Sequence, residues 1–254
     1  MLQAYVLHSF LYQDTSLIVK FFTKEQGVVT LIAKGARRPK SHFFGILQPF
    51  VPLWLDWKHK RRDLAVLYNA EARAPACRLV GTYLFGGLYI NELLLRLIGL
   101  HDPVAELFEF YEKFLINLSL SSKLHKGETA DKQLFLEQQL RFLEKKILKA
   151  IGYELQLDVE SSTSTPVRSE DSYCFDFEQG LKKCLPGSIE LSKNIIDGKS
   201  LLSLHQDKLD DPLLMRNAKL FMRAIIAHLL GDKPLAIRNL FIQKIKAQAN
   251  IDNS

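Results

Sequence analysis

Apolar and polar residues alternate with a period of two through much of the first 75 residues, which predicts β-strands. Gly27 can adopt a positive φ and close a short hairpin between the second and third runs. Five short strands in about 70 residues fit a small closed barrel, and the OB-fold is the five-stranded barrel most associated with oligonucleotides. The pattern alone leaves an SH3-like barrel open. The alternating runs lie at residues 5–9, 17–22, 28–33, 50–57 and 64–71.

After Pro75 the apolar positions recur at intervals of three and four residues, which predicts amphipathic helices. The predicted fold class is α+β: an N-terminal five-stranded OB-fold β-barrel over residues 1–75, followed by an all-helical C-terminal domain over residues 76–254. Residues 158–172 carry few apolar side chains, so we expect a mobile insertion that cannot offset its ordering entropy. The predicted helices cover roughly residues 84–98, 103–118, 131–151, 188–196, 212–230 and 236–247.

The charge of the chain is distributed unevenly. The 254 residues include 34 Lys plus Arg and 28 Asp plus Glu, a formal net charge of +6. Residues 1–75 hold 11 of the basic and only 5 of the acidic residues, so the remainder is neutral. Two basic clusters at predicted strand ends account for most of the excess, which favours a module that binds a polyanion such as nucleic acid. The clusters are Lys34, Arg37, Arg38, Lys40 and Lys58, Lys60, Arg61, Arg62.

Motifs that would support catalysis are missing from the sequence. It contains no glycine-rich phosphate loop, no G-x-G-x-x-G turn after a strand, no G-x-S-x-G and no H-E-x-x-H. We therefore predict a protein that is not an enzyme, with no catalytic residues and no cofactor.

The cysteines and the longest apolar stretch indicate a cytoplasmic protein. Only three cysteines occur, too few for a disulfide framework, and Cys174 and Cys184 lack the close second ligands that zinc sites use. The N-terminus lacks the features of a secretory signal. Residues 79–100 are apolar but are interrupted by Asn91, Glu92 and Arg96, which argues against a membrane span. We predict no bound metal and no membrane partner.

The string K-G-A-R-R-P-K-S, residues 34–41, resembles the RecO family of bacterial recombination mediators in DNA repair. Four further segments resemble the family in order and spacing, so that the likeness spans nearly the whole chain. They are Leu47–Phe50, Gly87–Leu94, Leu140–Phe142 leading to Ile151–Tyr153, and Lys233–Leu235 with Arg238. In that family an N-terminal OB-fold precedes a helical domain, as the periodicity also predicts.

The resemblance implies a non-catalytic mediator of the RecF pathway, located in the cytoplasm and associated with the nucleoid. Such a protein binds single- and double-stranded DNA and anneals complementary strands. Together with RecR, it helps to load RecA onto strands coated by single-stranded DNA-binding protein. Two other classes stay open: a protein-interaction adaptor that recognises acidic partner tails, and an RNA-binding OB protein that contacts 2′-hydroxyls.

Candidate binding residues follow from both lines of reasoning. The two basic clusters are expected to neutralise phosphates, and Phe43 and Phe44, beside the first cluster, are the candidates for stacking on bases. By motif position, Arg141 matches the family residue that binds the acidic, Phe-ended C-terminal tail of single-stranded DNA-binding protein. Lys145 and Lys149 would extend its positive face. Some members carry a four-cysteine zinc site where this chain has only two thiols, in a zinc-finger-like region near residues 173–186.

Overall fold

The computed structural model describes residues 1–58, 64–124, 130–184, 194–231, 233–237 and 240. The first five strands close into a barrel in the order β1-β2-β3-β5-β4. All neighbouring pairs are antiparallel except β3 and β5. The predicted five-stranded OB-fold barrel is thus confirmed. Its strands are β1 (Leu2–Tyr12), β2 (Ser16–Thr23), β3 (Gly27–Ala33), β4 (Leu53–Lys58) and β5 (Ala65–Ala72).

Two helices follow the barrel, α1 (Thr82–Leu97) and α2 (Ala105–Leu124). Tyr5 and Phe22 on the outside of the barrel pack against Phe108 and Tyr111 of α2, with ring centroids 5.3–5.8 Å apart. The Tyr5 hydroxyl donates to Glu112 Oε1 at 2.9 Å. Burial, reinforced by the Glu112 carboxylate, raises the pKa of Tyr5, so this hydroxyl stays protonated. Aromatic packing therefore joins α2 to the barrel.

Three residues of the family-like segment on α1 have structural roles. A Cβ at Gly87 would lie 2.7 Å from Leu79 Cδ1 and 2.9 Å from the Phe50 ring, so a larger residue would force these side chains to move. The Asn91 side chain is buried and donates to the backbone oxygens of Val6 (3.4 Å) and Leu7 (3.3 Å). These oxygens lie at the β-bulge of β1, where the ladder is locally interrupted. Asn91 thus substitutes for part of the missing strand pairing.

Glu92, the next residue on α1, binds the backbone directly after the Lys233–Leu235 motif. Its carboxylate accepts the backbone N–H groups of Ala236 at 2.8 Å and Ile237 at 2.9 Å. Such a carboxylate both satisfies free amides and complements the positive end of a helix. Arg238 and most of the last predicted helix lie outside the described residues.

The chain divides into two compact units, one of residues 1–126 with 235–254 and one of residues 127–234. The described residues of the second unit form three helices that share an apolar core with a short sheet in the strand order β7-β6-β8. The helical character of the C-terminal part is confirmed, but this antiparallel sheet corrects the expectation that it is all-helical. Its elements are α3 (Ala130–Ala150), β6 (Ser172–Asp176), β7 (Gly180–Lys183), β8 (Ile195–Asp197), α4 (Gly198–His205) and α5 (Pro212–Leu230).

The segment expected to be a mobile insertion, residues 158–172, follows a defined path in the second unit. Val167 N donates to Asp158 O at 2.8 Å, and Ser161 N donates to Leu181 O at 2.9 Å. Val167 is buried in the core. One apolar anchor and a set of backbone hydrogen bonds therefore give the segment more contacts than its composition indicates.

Among the described helices, none is both long enough and apolar enough to span a bilayer.

Candidate nucleic-acid interface

The first basic cluster lies on a loop of tight turns after β3, residues 34–41, which we call the basic loop. Gly35 has φ +68°, a conformation that favours glycine. Arg38 N donates to Gly35 O at 3.1 Å, and Ser41 N donates to Arg38 O at 2.9 Å. The backbone of the loop is therefore ordered by its own hydrogen bonds.

Contacts with the β1–β2 hairpin fix the basic loop at one end of the barrel. Arg37 N donates to Thr15 O at 2.9 Å, and the Arg37 guanidinium donates to Asp14 O at 3.1 Å. Gly35 N also donates to Ser16 Oγ at 3.4 Å. The loop and the hairpin thus form one continuous surface.

The four cations of the basic loop, Lys34, Arg37, Arg38 and Lys40, are exposed. Within the part of the chain that the structure describes, none of the four forms an ion pair with a carboxylate. Arg37 uses its side chain on a neutral backbone oxygen, which leaves its charge uncompensated. Four uncompensated cations within seven residues form a strong anion-attracting surface.

The second basic cluster is described only at its first residue. Lys58 is exposed at the end of β4, with its Nζ 4.8 Å from the centre of the Tyr68 ring on β5. This cation–π contact places a charge beside an exposed aromatic ring. The other members, Lys60, Arg61 and Arg62, lie outside the described residues.

Only one of the two predicted stacking residues is accessible. Phe44 is 67% exposed, whereas Phe43 is 3% exposed and belongs to the core of the barrel. The ring of Phe43 also lies 3.8 Å from that of His42. The prediction that Phe43 stacks on bases is therefore wrong, because its ring fills the barrel interior.

Comparison with known proteins identifies the family. The sequence profile described as "Recombination protein O N terminal" matches residues 1–76, and that described as "Recombination protein O C terminal" matches residues 78–197. The chain belongs to the RecO family.

Relatives in the RecO family match along nearly their whole length. Proteins named "DNA repair protein RecO" are 38% identical in Nitrosospira multiformis and 39% in Nitrosococcus oceani. The first match covers 93% of this chain and 92% of the relative, and the second covers 98% and 94%. A third, from Methylococcus capsulatus, is 41% identical over 94% of this chain and 91% of the relative.

The RecO-family residue predicted to bind an acidic tail, Arg141 on α3, is 5% exposed. Its guanidinium lies 2.5 Å from Glu144 Oε1 and 3.9 Å from Glu137 Oε2. Lys219 of α5 contacts the other Glu137 oxygen at 2.5 Å. Arg141 therefore does not present its charge to solvent, because Glu137 and Glu144 of its own helix lie beside the guanidinium in the interior, and its binding of an acidic tail stays a prediction.

Lys145 and Lys149 do not form the predicted positive face either. Lys145 Nζ contacts the backbone oxygens of Leu204 (2.5 Å) and His205 (3.2 Å), and Asp207 Oδ1 (2.6 Å). These carbonyls end α4, so Lys145 acts as a cationic cap at the negative end of that helix. Lys149 is exposed and pairs with Glu154 at 2.7 Å.

We expect Lys145→Met to lower the free energy of unfolding of the second unit by about 1 to 3 kcal/mol, since the final carbonyls of α4 lose a charged donor. The matched variant Lys149→Met, one turn further along α3, removes an exposed pair and should change it by under about 1 kcal/mol. Hydrogen exchange of α3 and α4 peptides measures both. Equal effects of the two variants would refute the capping role.

The two cysteines of the zinc-finger-like region lie on one β-hairpin. Cys174 is on β6, and the N–H of Cys184, just after β7, donates to Ser172 O at 2.8 Å. Burial, with a further contribution from Cys174, raises the pKa of Cys184 to about 11. Because metals bind the thiolate, this environment disfavours ligation. The described residues hold no cluster of three or more His, Cys, Asp or Glu placed to bind a metal.

Sequence reasoning missed two exposed aromatic residues at the end of β1, Phe10 and Tyr12. The alternation predicted a strand over residues 5–9 only, whereas β1 continues to Tyr12. A bulge between Val6 and His8 changes which face each later residue occupies. Pairing with β2, which the sequence does not show, places Tyr12 opposite Ser16, whose hydroxyl accepts the N–H of Gly35 in the basic loop, and Phe10 lies two residues away on the same face.

Proposed function

We propose that this RecO-family protein acts in DNA repair as a non-catalytic mediator that binds single- and double-stranded DNA and anneals complementary strands. In this role it helps RecA to load onto strands coated by single-stranded DNA-binding protein, in the cytoplasm at the nucleoid. The names of its relatives support the repair role. The annealing role is supported by the basic loop.

The observation that carries the proposal is the exposure of four cations, none paired with a carboxylate of the described residues, on an ordered loop at the end of an OB-fold barrel. Cations on such a loop can neutralise phosphates of any sequence, because phosphate contacts carry no base information. A protein that anneals strands needs this property, since it has to bind both complements. It also has to reduce the repulsion between two polyanions that approach each other.

Replacement of both loop arginines tests the proposal. We expect Arg37→Ala with Arg38→Ala to weaken binding to mixed-sequence single strands and to flatten the plot of log K against log[salt]. The slope should decrease by about 0.7 per lost phosphate contact, or about 1.4 in total. Fluorescence anisotropy with a labelled oligonucleotide, at several salt concentrations, measures it.

The double variant Lys113→Ala with Lys123→Ala, two exposed lysines of α2, removes the same charge at another site. It should leave most of the slope unchanged if the basic loop is the phosphate site. Equal slopes for the Arg37/Arg38 variant and the unmodified protein would remove the loop from the proposed interface.

A strand-annealing assay separates this function from its alternatives. The mediator accelerates annealing of complementary DNA oligonucleotides, both bare and coated with single-stranded DNA-binding protein. An adaptor for acidic tails would bind partner peptides and leave the annealing rate near that of the uncatalysed reaction. An RNA-binding OB protein would prefer RNA over DNA of the same sequence, through contacts with the 2′-hydroxyl.

The partners included in this proposal are RecR, RecA and the acidic tail of single-stranded DNA-binding protein. Their support is the family membership rather than a formed site, since Arg141 is buried and Lys145 caps a helix. Titration of the protein with a labelled acidic peptide ending in Phe measures tail binding directly. Absence of saturable binding would remove this partner from the proposal.

A further inference from the structure

The outer face of the barrel carries a row of apolar residues across four strands. The register pairs Phe10 of β1 with Ile18 of β2, Ile18 with Ile32 of β3, and Ile32 with Val66 of β5. Directly paired residues lie on the same face of a sheet. Because Val19, the neighbour of Ile18, points into the barrel core, this row points outward.

This row ends in exposed aromatic rings on both sides. Phe10 is 47% exposed at the β1 end, and Tyr68, two residues after Val66 on the same face, is 63% exposed. Between them, Ile18, Ile32 and Val66 are only half-buried. Water-exposed apolar surface that is contiguous across several strands is typical of a binding site.

Lysines flank the apolar row on the same face. Lys20 is paired with His8 in the neighbouring row, and Lys34 follows Ile32 by two residues. Lys58 is opposite Val66 and lies over the Tyr68 ring. On this face, aromatic rings and aliphatic side chains therefore alternate with the ammonium groups of lysines. The paired positions of these two rows hold no acidic residue.

The end of this face at Phe10 is ordered. The ladder between β1 and β2 continues to the pair Tyr12–Ser16, and the His8 ring lies edge-on to that of Phe10 with centroids 4.4 Å apart. The turn that follows is the one to which Arg37 is hydrogen-bonded. The aromatic face and the basic loop are thus held in a fixed relation by the same hairpin.

We propose that this outer face, from Phe10 to Tyr68, is a base-stacking surface for single-stranded DNA, with its lysines and the basic loop following the phosphates. The inference rests on the proposed function, to which it adds the residues that contact bases. The rings offer π-faces to any base, and the aliphatic row between them can cover the bases from water. A duplex keeps its bases stacked inside, so this surface favours single strands over duplex DNA.

Two oligonucleotides of equal length and charge test the stacking surface: oligothymidylate and an abasic strand with the same phosphates. We expect Phe10→Ala and Tyr68→Ala each to weaken oligothymidylate binding by roughly 5- to 150-fold, the range for loss of one stacked base. Affinity for the abasic strand should stay within about twofold, because the phosphate contacts are unchanged.

Leu11→Ala is the matched control, because Leu11 is adjacent to Phe10, is 73% exposed and points to the other face of β1. It should leave oligothymidylate affinity unchanged. Phe10→Leu keeps the apolar bulk without the ring, so it should reproduce most of the loss without altering the fold. Thermal unfolding of each variant verifies that the barrel is intact.

Unchanged oligothymidylate binding in the Phe10/Tyr68 double variant would overturn the inference and assign the face to a protein partner instead. An equal loss on both strands would also overturn it, because stacking requires bases. In either case, a flattened salt slope in the Arg37/Arg38 variant would leave the proposed function standing. If the unmodified protein binds neither strand, the proposed function and the inference both fail.

Discussion

Replacement of Arg141 by Met should lower the free energy of unfolding of the second unit by about 3 to 5 kcal/mol. The guanidinium is buried, and it faces the carboxylate of Glu144, which is itself 1% exposed, and that of Glu137. Its removal takes a positive charge away from the buried carboxylate of Glu144 and from that of Glu137, which also contacts Lys219. The cost comes from the charge left behind rather than from the value of the ion pair itself.

Native-state hydrogen exchange of α3 and α5 peptides measures this effect within the second unit. The double variant Arg141→Met with Glu144→Met removes both charges and should recover much of the lost stability, because an apolar pair of similar volume often replaces a buried ion pair without loss. If the double variant is no more stable than the single one, uncompensated charge is not the cause.

Replacement of Asn91 by Leu should destabilise the first unit by about 2 to 4 kcal/mol, since each buried polar group left without a partner costs about 1 to 3 kcal/mol. The Asn91 side chain donates to the backbone oxygens of Val6 and Leu7 and accepts the Tyr111 hydroxyl at 2.6 Å. Leucine supplies none of these contacts. The carbonyls at the bulge and the hydroxyl of Tyr111 would all lose their partner in the core.

Urea unfolding followed by tryptophan fluorescence is a suitable measurement, because the two tryptophans of the chain, Trp54 and Trp57, lie on β4 and report on the barrel. Gln48→Leu, at an exposed position between β3 and β4, is the control and should change the free energy by less than about 0.5 kcal/mol. A shift of the midpoint as small as that of the control would show that Asn91 does not stabilise the bulge.

The barrel was predictable from the sequence because its strands have 6 to 11 residues, which is enough to distinguish a period of two. The sheet of β6, β7 and β8 was not, because strands of three to five residues give too few alternations. Only β6 and β7 form a local hairpin, whereas β8 pairs with β6 across residues 177–194. The polar composition of residues 158–172 therefore predicts a mobile insertion, although the Val167 side chain of this segment is buried in the core of the second unit.

The candidate site shows the same limit for individual side chains. Phe43 and Phe44 are neighbours in the sequence, just after the cations of the basic loop. Only tertiary packing decides which of the two rings enters the core of the barrel. The acidic partners of Arg141 were visible at intervals of three and four residues, but its burial depends on packing of α3 against α5, about 70 residues later. The carbonyls capped by Lys145 lie at a similar distance in the chain.

The second unit, residues 127–234, is inserted between two segments of the first unit, and Glu92 binds the second of these segments through the amides of Ala236 and Ile237. After a single proteolytic cut between α2 and α3, the second unit would stay covalently joined to residues 235–254, and the hydrogen bonds to Glu92 would connect these residues to α1 without a covalent link. A fragment that stops at residue 76 would lose these hydrogen bonds to Glu92, and also Phe108 and Tyr111, the aromatic partners of Tyr5 and Phe22.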